Sequence, residues 1–430
     1  MNMSGLSFDA LTPINIPFRY FLIAPVFLIL IAIFILYLGP EIWFSRWHPA
    51  MLTITHGLTL GFMASVMMGA LFQVFPVVGG IGFPKVRLVA NISFVGHVLG
   101  TSCLMLGFVW PSELIKVLSV LLLGLSFTTY LIAITWVLSK KLSQGVVING
   151  IRLAVFALFV TVLLGIGLLF GFFKGDKFFT NLHALWGGLG WGGLLIIAVS
   201  FQIIPMFHVA PQFNKMISKY IPIVILSLIL LMILLREYTA TLIVSLLIIN
   251  SLYSISVLYV IHNRKRKIPD TTIKYWQLAS VSMFVLLIFF VLSEYVFSGT
   301  LNHKQTLLMA AIFIYFYVIS IIQGMLLKII PFLSYTHLQQ KCLMNFDAMS
   351  LLPNMHGFLN KKHANLLFIL HIFSGLSLVF TILYPAFYWL FGILLLLEFT
   401  GLLFLMVTAI CLYQVCNHKI NHLLQLSQVK

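Results

Sequence analysis

The chain has 430 residues, of which 61% are hydrophobic and 8% charged, against roughly 25% charged in soluble domains. A water-soluble fold is excluded, and so is a β-barrel, whose strands alternate in polarity where these apolar runs do not. The net charge of +16 sits mostly in short loops between the runs, which makes it a signal of membrane topology and not of nucleic-acid binding.

A mean hydropathy of +1.11 and apolar runs along almost the whole length predict an all-α polytopic membrane protein in a single transmembrane domain, because lipid forces each span to satisfy its backbone internally. Cutting the runs at Pro, Gly, Asn and charge gives twelve helices, at about 18–39, 50–76, 86–109, 113–139, 150–173, 181–209, 217–236, 238–262, 273–297, 305–333, 363–388 and 389–416. The first has no small-residue cleavage site and reads as a retained helix. The loops are short except at about 334–362, which holds Pro353 and several His and Lys. Eighteen of the 25 Lys and Arg fall on the side of the two termini, six on the other, and Lys328 lies inside the tenth helix. That bias predicts cytoplasmic termini in a bacterial inner (plasma) membrane. The basic run Arg264 to Lys267 reads as an anchor on the cytoplasmic face.

An internal repeat organises the twelve. The second helix ends Phe72-Gln73-Val74-Phe75-Pro76, the sixth Phe201-Gln202-Ile203-Ile204-Pro205 and the tenth Leu327-Lys328-Ile329-Ile330-Pro331. The prolines stand 129 and then 126 residues apart, and Gly61 and Gly190 each lie twelve residues before their glutamine. Three four-helix arcs follow, in blocks of about 18–139, 150–262 and 273–416, with the second, sixth and tenth helices equivalent. Lys328 replaces the glutamine and is expected to snorkel to the cytoplasmic face.

Polar residues inside a bilayer are costly and often functional. In chain order the first is His56, about two turns inside the second helix, where a neutral imidazole suits an iron or copper ion. His97 falls near the middle of the third helix. His183 opens the sixth and is followed by Gly187, Gly188, Gly190, Gly192 and Gly193, which allow either a flat ring or simply another helix to approach closely. His371 lies in the eleventh helix, towards the cytoplasm, and like His97 it also suits a structural hydrogen bond. Glu398 in the twelfth is expected at a depth similar to His56, to orient a ligating histidine or to carry protons. The cysteines, Cys103, Cys342, Cys411 and Cys416, show neither a zinc pattern nor a disulfide framework. Cys411, Cys416, His418 and His422 are a candidate soft-metal group, although the thiols fall on different helix faces. No phosphate loop or nucleophile elbow is present, so an enzyme here would need a cofactor.

The segment Thr55-His56-Gly57 through Gly61-Phe62 to Phe72-Gln73-Val74-Phe75-Pro76 resembles the second helix of the haem-copper oxidase subunit I superfamily. It is most similar to orphan oxidase-like membrane proteins and nitric-oxide-response haem-copper proteins. The stretches Ser200 to Pro211 and Lys328 to Gln339 resemble the same group. The resemblance implies twelve helices in three arcs, and it implies haem ligation by His56. It also implies what is missing: the family's haem and copper histidines on the tenth and seventh helices have no counterpart between Thr306 and Pro331 or between Ile217 and Arg236. Copper therefore lacks a ligand set, and oxygen reduction is not expected.

The function expected is that of a non-oxidase haem protein, in nitric oxide or metal stress, redox sensing or respiratory-complex assembly. Its partners are membrane lipid and respiratory or assembly proteins. The alternatives are a small-solute or metal transporter lined by His56, His97, His371 and Glu398, and a cofactor-free structural or assembly subunit.

Overall fold

A computed structural model describes residues 12–140, 145–297, 302–343 and 346–428. Lys141 and Lys430, both counted in the charge bias, lie outside the described residues. Twelve helices are long and apolar enough to cross a membrane, and no strand occurs among the described residues. The protein is an all-α integral membrane protein. The helices are α1 (Asn15–Leu38), α2 (Pro49–Gly79), α3 (Val86–Val109), α4 (Glu113–Leu138), α5 (Gly145–Leu169), α6 (Lys177–His208), α7 (Lys215–Leu234), α8 (Arg236–His262), α9 (Thr271–Val296), α10 (His303–Cys342), α11 (Lys361–Leu383) and α12 (Tyr388–Gln428).

Short polar side chains start several of these helices by accepting backbone N–H groups that have no intrahelical partner. Asp176 caps α6 through the Phe178 N–H, Asn214 caps α7 through Met216, and Asp270 caps α9 through Thr272. Asn302 and Gln305 form a reciprocal capping box at α10. Two boundaries differ from the sequence reading. Pro331 does not end α10, which runs on to Cys342 and takes up the start of the expected long loop, leaving two short 3-10 turns before α11. Likewise α12 continues past residue 416 to Gln428. A proline ends a helix only when the freed carbonyl and the ring find no room, and Pro205 and Pro331 are both accommodated inside their helices.

The packing repeats every four helices. Helix α1 packs on α2, α5 on α6 and α9 on α10; α3 pairs with α4, α7 with α8 and α11 with α12; and α4 meets α5, α8 meets α9 and α12 meets α1. Helices α2, α6 and α10 are the most enclosed. In them 72%, 78% and 61% of the most apolar stretch is buried, against at most 50% in the other nine. Each has a π-helical segment at mid-length, Gly57–Ala64, Trp186–Gly193 and Ala311–Ile319, and each segment touches the other two. The segments begin 129 and 125 residues apart, the same period as the prolines. Segments of this kind are rare and recur at functional sites.

Candidate functional site

His56 is the eighth residue of α2 and His183 the seventh of α6, so both stand about 10 Å along parallel helices at a rise of 1.5 Å per residue. Each is immediately or nearly followed by its π segment. Their rings lie with centres 6.3 Å apart and planes within 26° of parallel, and both side chains are half-buried. The Phe108 ring from the end of α3 covers His56, 5.1 Å away. His183 rests over α5 at Gly165, where a Cβ would come within 3.0 Å of its Cε1.

Backbone carbonyls fix the protonation of both rings. His56 Nδ1 lies 2.8 Å from the Leu52 carbonyl oxygen, and His183 Nδ1 lies 3.1 Å from that of Thr161. A carbonyl only accepts, so Nδ1 carries the proton in each neutral ring, which leaves Nε2 its lone pair. Neither Nε2 bonds to any described residue. Two neutral imidazoles thus present two free donors side by side.

Positive charge stands at the mouth above this pair. Arg46 Nη2 donates to Asn181 Oδ1 at 2.9 Å, and Asn181 lies two residues before His183. The Arg46 guanidinium stacks over Trp47 at 4.3 Å, and Lys177 lies 5.8 Å from the same ring. Asp176, the α6 cap, takes the Arg236 guanidinium at 2.8 Å and so ties the start of α6 to the α7–α8 turn.

The other sequence candidates go elsewhere. Glu398 is not beside His56. Its Oε1 accepts from His371 Nδ1 at 2.7 Å and its Oε2 from the Tyr315 hydroxyl, in a fully buried cluster between α10, α11 and α12. His371 uses both nitrogens, the second on Ser320 Oγ at 2.7 Å, and has none left for iron. His97 Nε2 is shared between the Leu60 carbonyl and Ser65 Oγ, a structural link from α3 to α2. Lys328 reaches the α9 cap at one end of the bundle. Its ammonium pairs with Asp270 at 2.6 Å, with 15% of the side chain exposed, and His208 Nδ1 approaches the same carboxylate oxygen at 3.7 Å. Burial pushes the Asp270 carboxyl up, but the Lys328 ammonium and the Thr272 hydroxyl outweigh it and hold it down at about 2. Gln73 Nε2 donates to the Thr12 carbonyl at 3.2 Å, while Gln202 is half-buried and bonds to no described side chain or backbone group.

The glycines after His183 serve packing. Cβ atoms at Gly187, Gly188, Gly190 and Gly192 would meet Thr161, Phe313, Ala157 and Met63 at 2.9–3.1 Å, so neighbouring helices fill the space a flat ring would need there. Cys411 is exposed and Cys416 buried, and among the described residues no group of three or more His, Cys, Asp and Glu is placed to hold a metal ion. Among the described residues no hydrogen bond or ring contact joins His56, His97 and the His371–Glu398 pair. His337 lies in the unforeseen extension of α10, with Nδ1 2.9 Å from the Tyr413 hydroxyl. Asp270, Tyr315 and Ser320 were missed from sequence. Only Asp270 had a signal, as a cap before Thr271 and Thr272.

No protein-family model matches the chain, and no curated protein matches it.

Proposed function

We propose that this protein binds haem through His56 and His183, in a membrane domain of the oxidase subunit I-like plan that lacks the second haem and copper. The observation that carries this is the pair of free Nε2 atoms on near-parallel rings 6.3 Å apart, each with its tautomer set by a backbone carbonyl. Bis-histidine ligation needs only two protein donors, and the chain holds two ready-made. The threefold recurrence of the helix contacts and the resemblance of the α2 segment support the superfamily plan.

Bound haem would supply a one-electron iron couple. The chain's part is to hold and orient. Leu52 and Thr161 fix the rings, Phe108 shields His56, and Arg46 and Lys177 offer positive charge to carboxylates at the mouth. The glycine stretch of α6 is already filled by neighbouring side chains, so the residues that would hold a macrocycle are His56 and His183 and not Gly187 to Gly192. Helix α7 contains no histidine, and the histidines of α10, His303 and His337, stand at its two ends. That distribution supports an electron-carrying or sensing role over oxygen reduction, with respiratory or assembly proteins as partners. The charge bias supports cytoplasmic termini in a bacterial inner membrane, which puts the pair near the outer face.

The test is haem content per folded chain in the purified protein, for wild type, His56→Ala, His183→Ala and the exposed-site control His418→Ala. Haem in the wild type and control, and its loss from both ligand variants, is the expected result. Haem absent from every form, or retained in full without His56 and His183, refutes the reading.

A further inference from the structure

The buried cluster around Glu398 is separate from the histidine pair and has the parts of a proton site. Glu398 is the eleventh residue of α12 and His371 the eleventh of α11. The two helices run in opposite directions, so each group stands about 15 Å from its own end of the bundle. Glu398, His371 and Ser320 are fully buried and Tyr315 is 2% exposed. A lone carboxylate at this depth is too costly to stay charged without a partner. Here it has two donors, His371 Nδ1 and the Tyr315 hydroxyl. The Tyr315 and His371 rings stack at 4.8 Å and 13°, which fixes both donors in place.

The far side of His371 leads towards one end of the molecule. His371 Nε2 meets Ser320 Oγ at 2.7 Å, and Ser320 Oγ lies 3.4 Å from the Tyr315 carbonyl, to which it can donate. One turn along α10 from Ser320 is Gln323, fully buried, with neither its amide nitrogen nor its oxygen bonded to a described residue. The next residue, Gly324, is where Tyr275 of α9 packs, so close that a Cβ would lie 2.7 Å from the Tyr275 Cβ. The Tyr275 ring stands 5.4 Å from the His371 ring, and its hydroxyl is likewise buried and unbonded. Buried polar groups of this kind are ordinarily satisfied by ordered water. Tyr275 lies five residues along α9 from Asp270, and Gln323 five residues along α10 from Lys328, so both stand about 7.5 Å along their helices from the level of the part-exposed Lys328–Asp270 ion pair.

We propose that Glu398 and His371 form an exchangeable proton site, open through Tyr275 and Gln323 to the end of the bundle that carries Asp270 and Lys328. In the charged-pair state His371 holds protons on both nitrogens and Glu398 is a carboxylate. Release passes the Nε2 proton to the Ser320 oxygen as the serine hydroxyl proton moves on to water beside Gln323 and Tyr275. The imidazole is left neutral and keeps its Nδ1 proton, which it still donates to the Glu398 carboxylate. Uptake is the reverse, and no electron or co-reactant is involved. The titratable groups that face Glu398 are Tyr275 from α9, Tyr315 from α10 and His371 from α11. Helix α1 also packs on α12 and has no titratable side chain between Phe21 and Leu36.

The experiment is infrared difference spectroscopy of the full-length protein in lipid nanodiscs after a pH jump. The expected difference spectrum contains carboxylate bands, perturbed as His371 changes charge, that disappear in Glu398→Gln, and imidazole bands that disappear in His371→Gln. In Tyr315→Phe, which removes one hydrogen bond and keeps the ring, the carboxylate bands shift. With Tyr275→Phe and Gln323→Leu combined, the bands are retained but appear about tenfold more slowly or slower still, which corresponds to at least about 1.4 kcal/mol of added barrier. A wild-type spectrum with no band that depends on Glu398 overturns the site. An unchanged rate in the double variant overturns the route.

Discussion

At the scale of single residues, what separates one buried histidine from another is what holds its nitrogens. His56 and His183 each spend one nitrogen on a backbone carbonyl and keep the other, whereas His371 spends both on side chains. Asp270 makes the same point for a carboxylate. It is held at about 2, below the ordinary 3.8, so its ion pair with Lys328 contributes in full above about pH 4 and the contribution is lost as pH falls through about 2. Thermal unfolding of the solubilised protein should therefore show a lower midpoint for Asp270→Asn than for wild type at about pH 7, with the gap closing towards about pH 2.5. A gap that is constant with pH counts against the pairing. The sequence made His56 and His183 legible as candidates because imidazoles are rare inside apolar runs. It could not pair them, since their tautomers are set by carbonyls, which every residue has. The neighbours of Glu398 were hidden for a related reason. Depth along a helix says nothing about which face meets which neighbour, and its partners come from α10 and α11.

At the scale of elements, the prolines and glutamines of α2, α6 and α10 carried the repeat, and the structure adds a π segment to each at nearly the same period. Those segments were invisible in sequence, because one extra residue per turn leaves an all-apolar helix with no pattern to break. Small residues set how closely the outer helices approach. A Cβ at Gly100 of α3 would lie 2.8 Å from the Leu123 backbone nitrogen of α4, which cannot swing aside, while one at Gly124 meets nothing within 4 Å. Gly100→Ala should cost about 1–3 kcal/mol through overpacking, and Gly124→Ala should gain about 0.5–1 kcal/mol from helix propensity. Unfolding in mixed micelles measures both, and equal effects at the two positions would contradict the packing described.

At the scale of the whole molecule, twelve helices were legible because the apolar runs are separated by charge, Pro and Gly, and their threefold contact scheme follows from a repeat of four. Reporter fusions after the C-terminus and in the turn between α5 and α6 should report opposite sides, with the C-terminus cytoplasmic. A C-terminus on the outer side would reverse the placement of the histidine pair. Ligation by this pair is read directly in the electron paramagnetic resonance spectrum of the oxidised, haem-containing protein. With His56 and His183 as the two axial ligands, the wild type should give a low-spin signal, and His183→Ala should convert it to high spin while His418→Ala leaves it unchanged. A high-spin wild type, or a low-spin signal that survives the loss of His183, would contradict ligation by this pair.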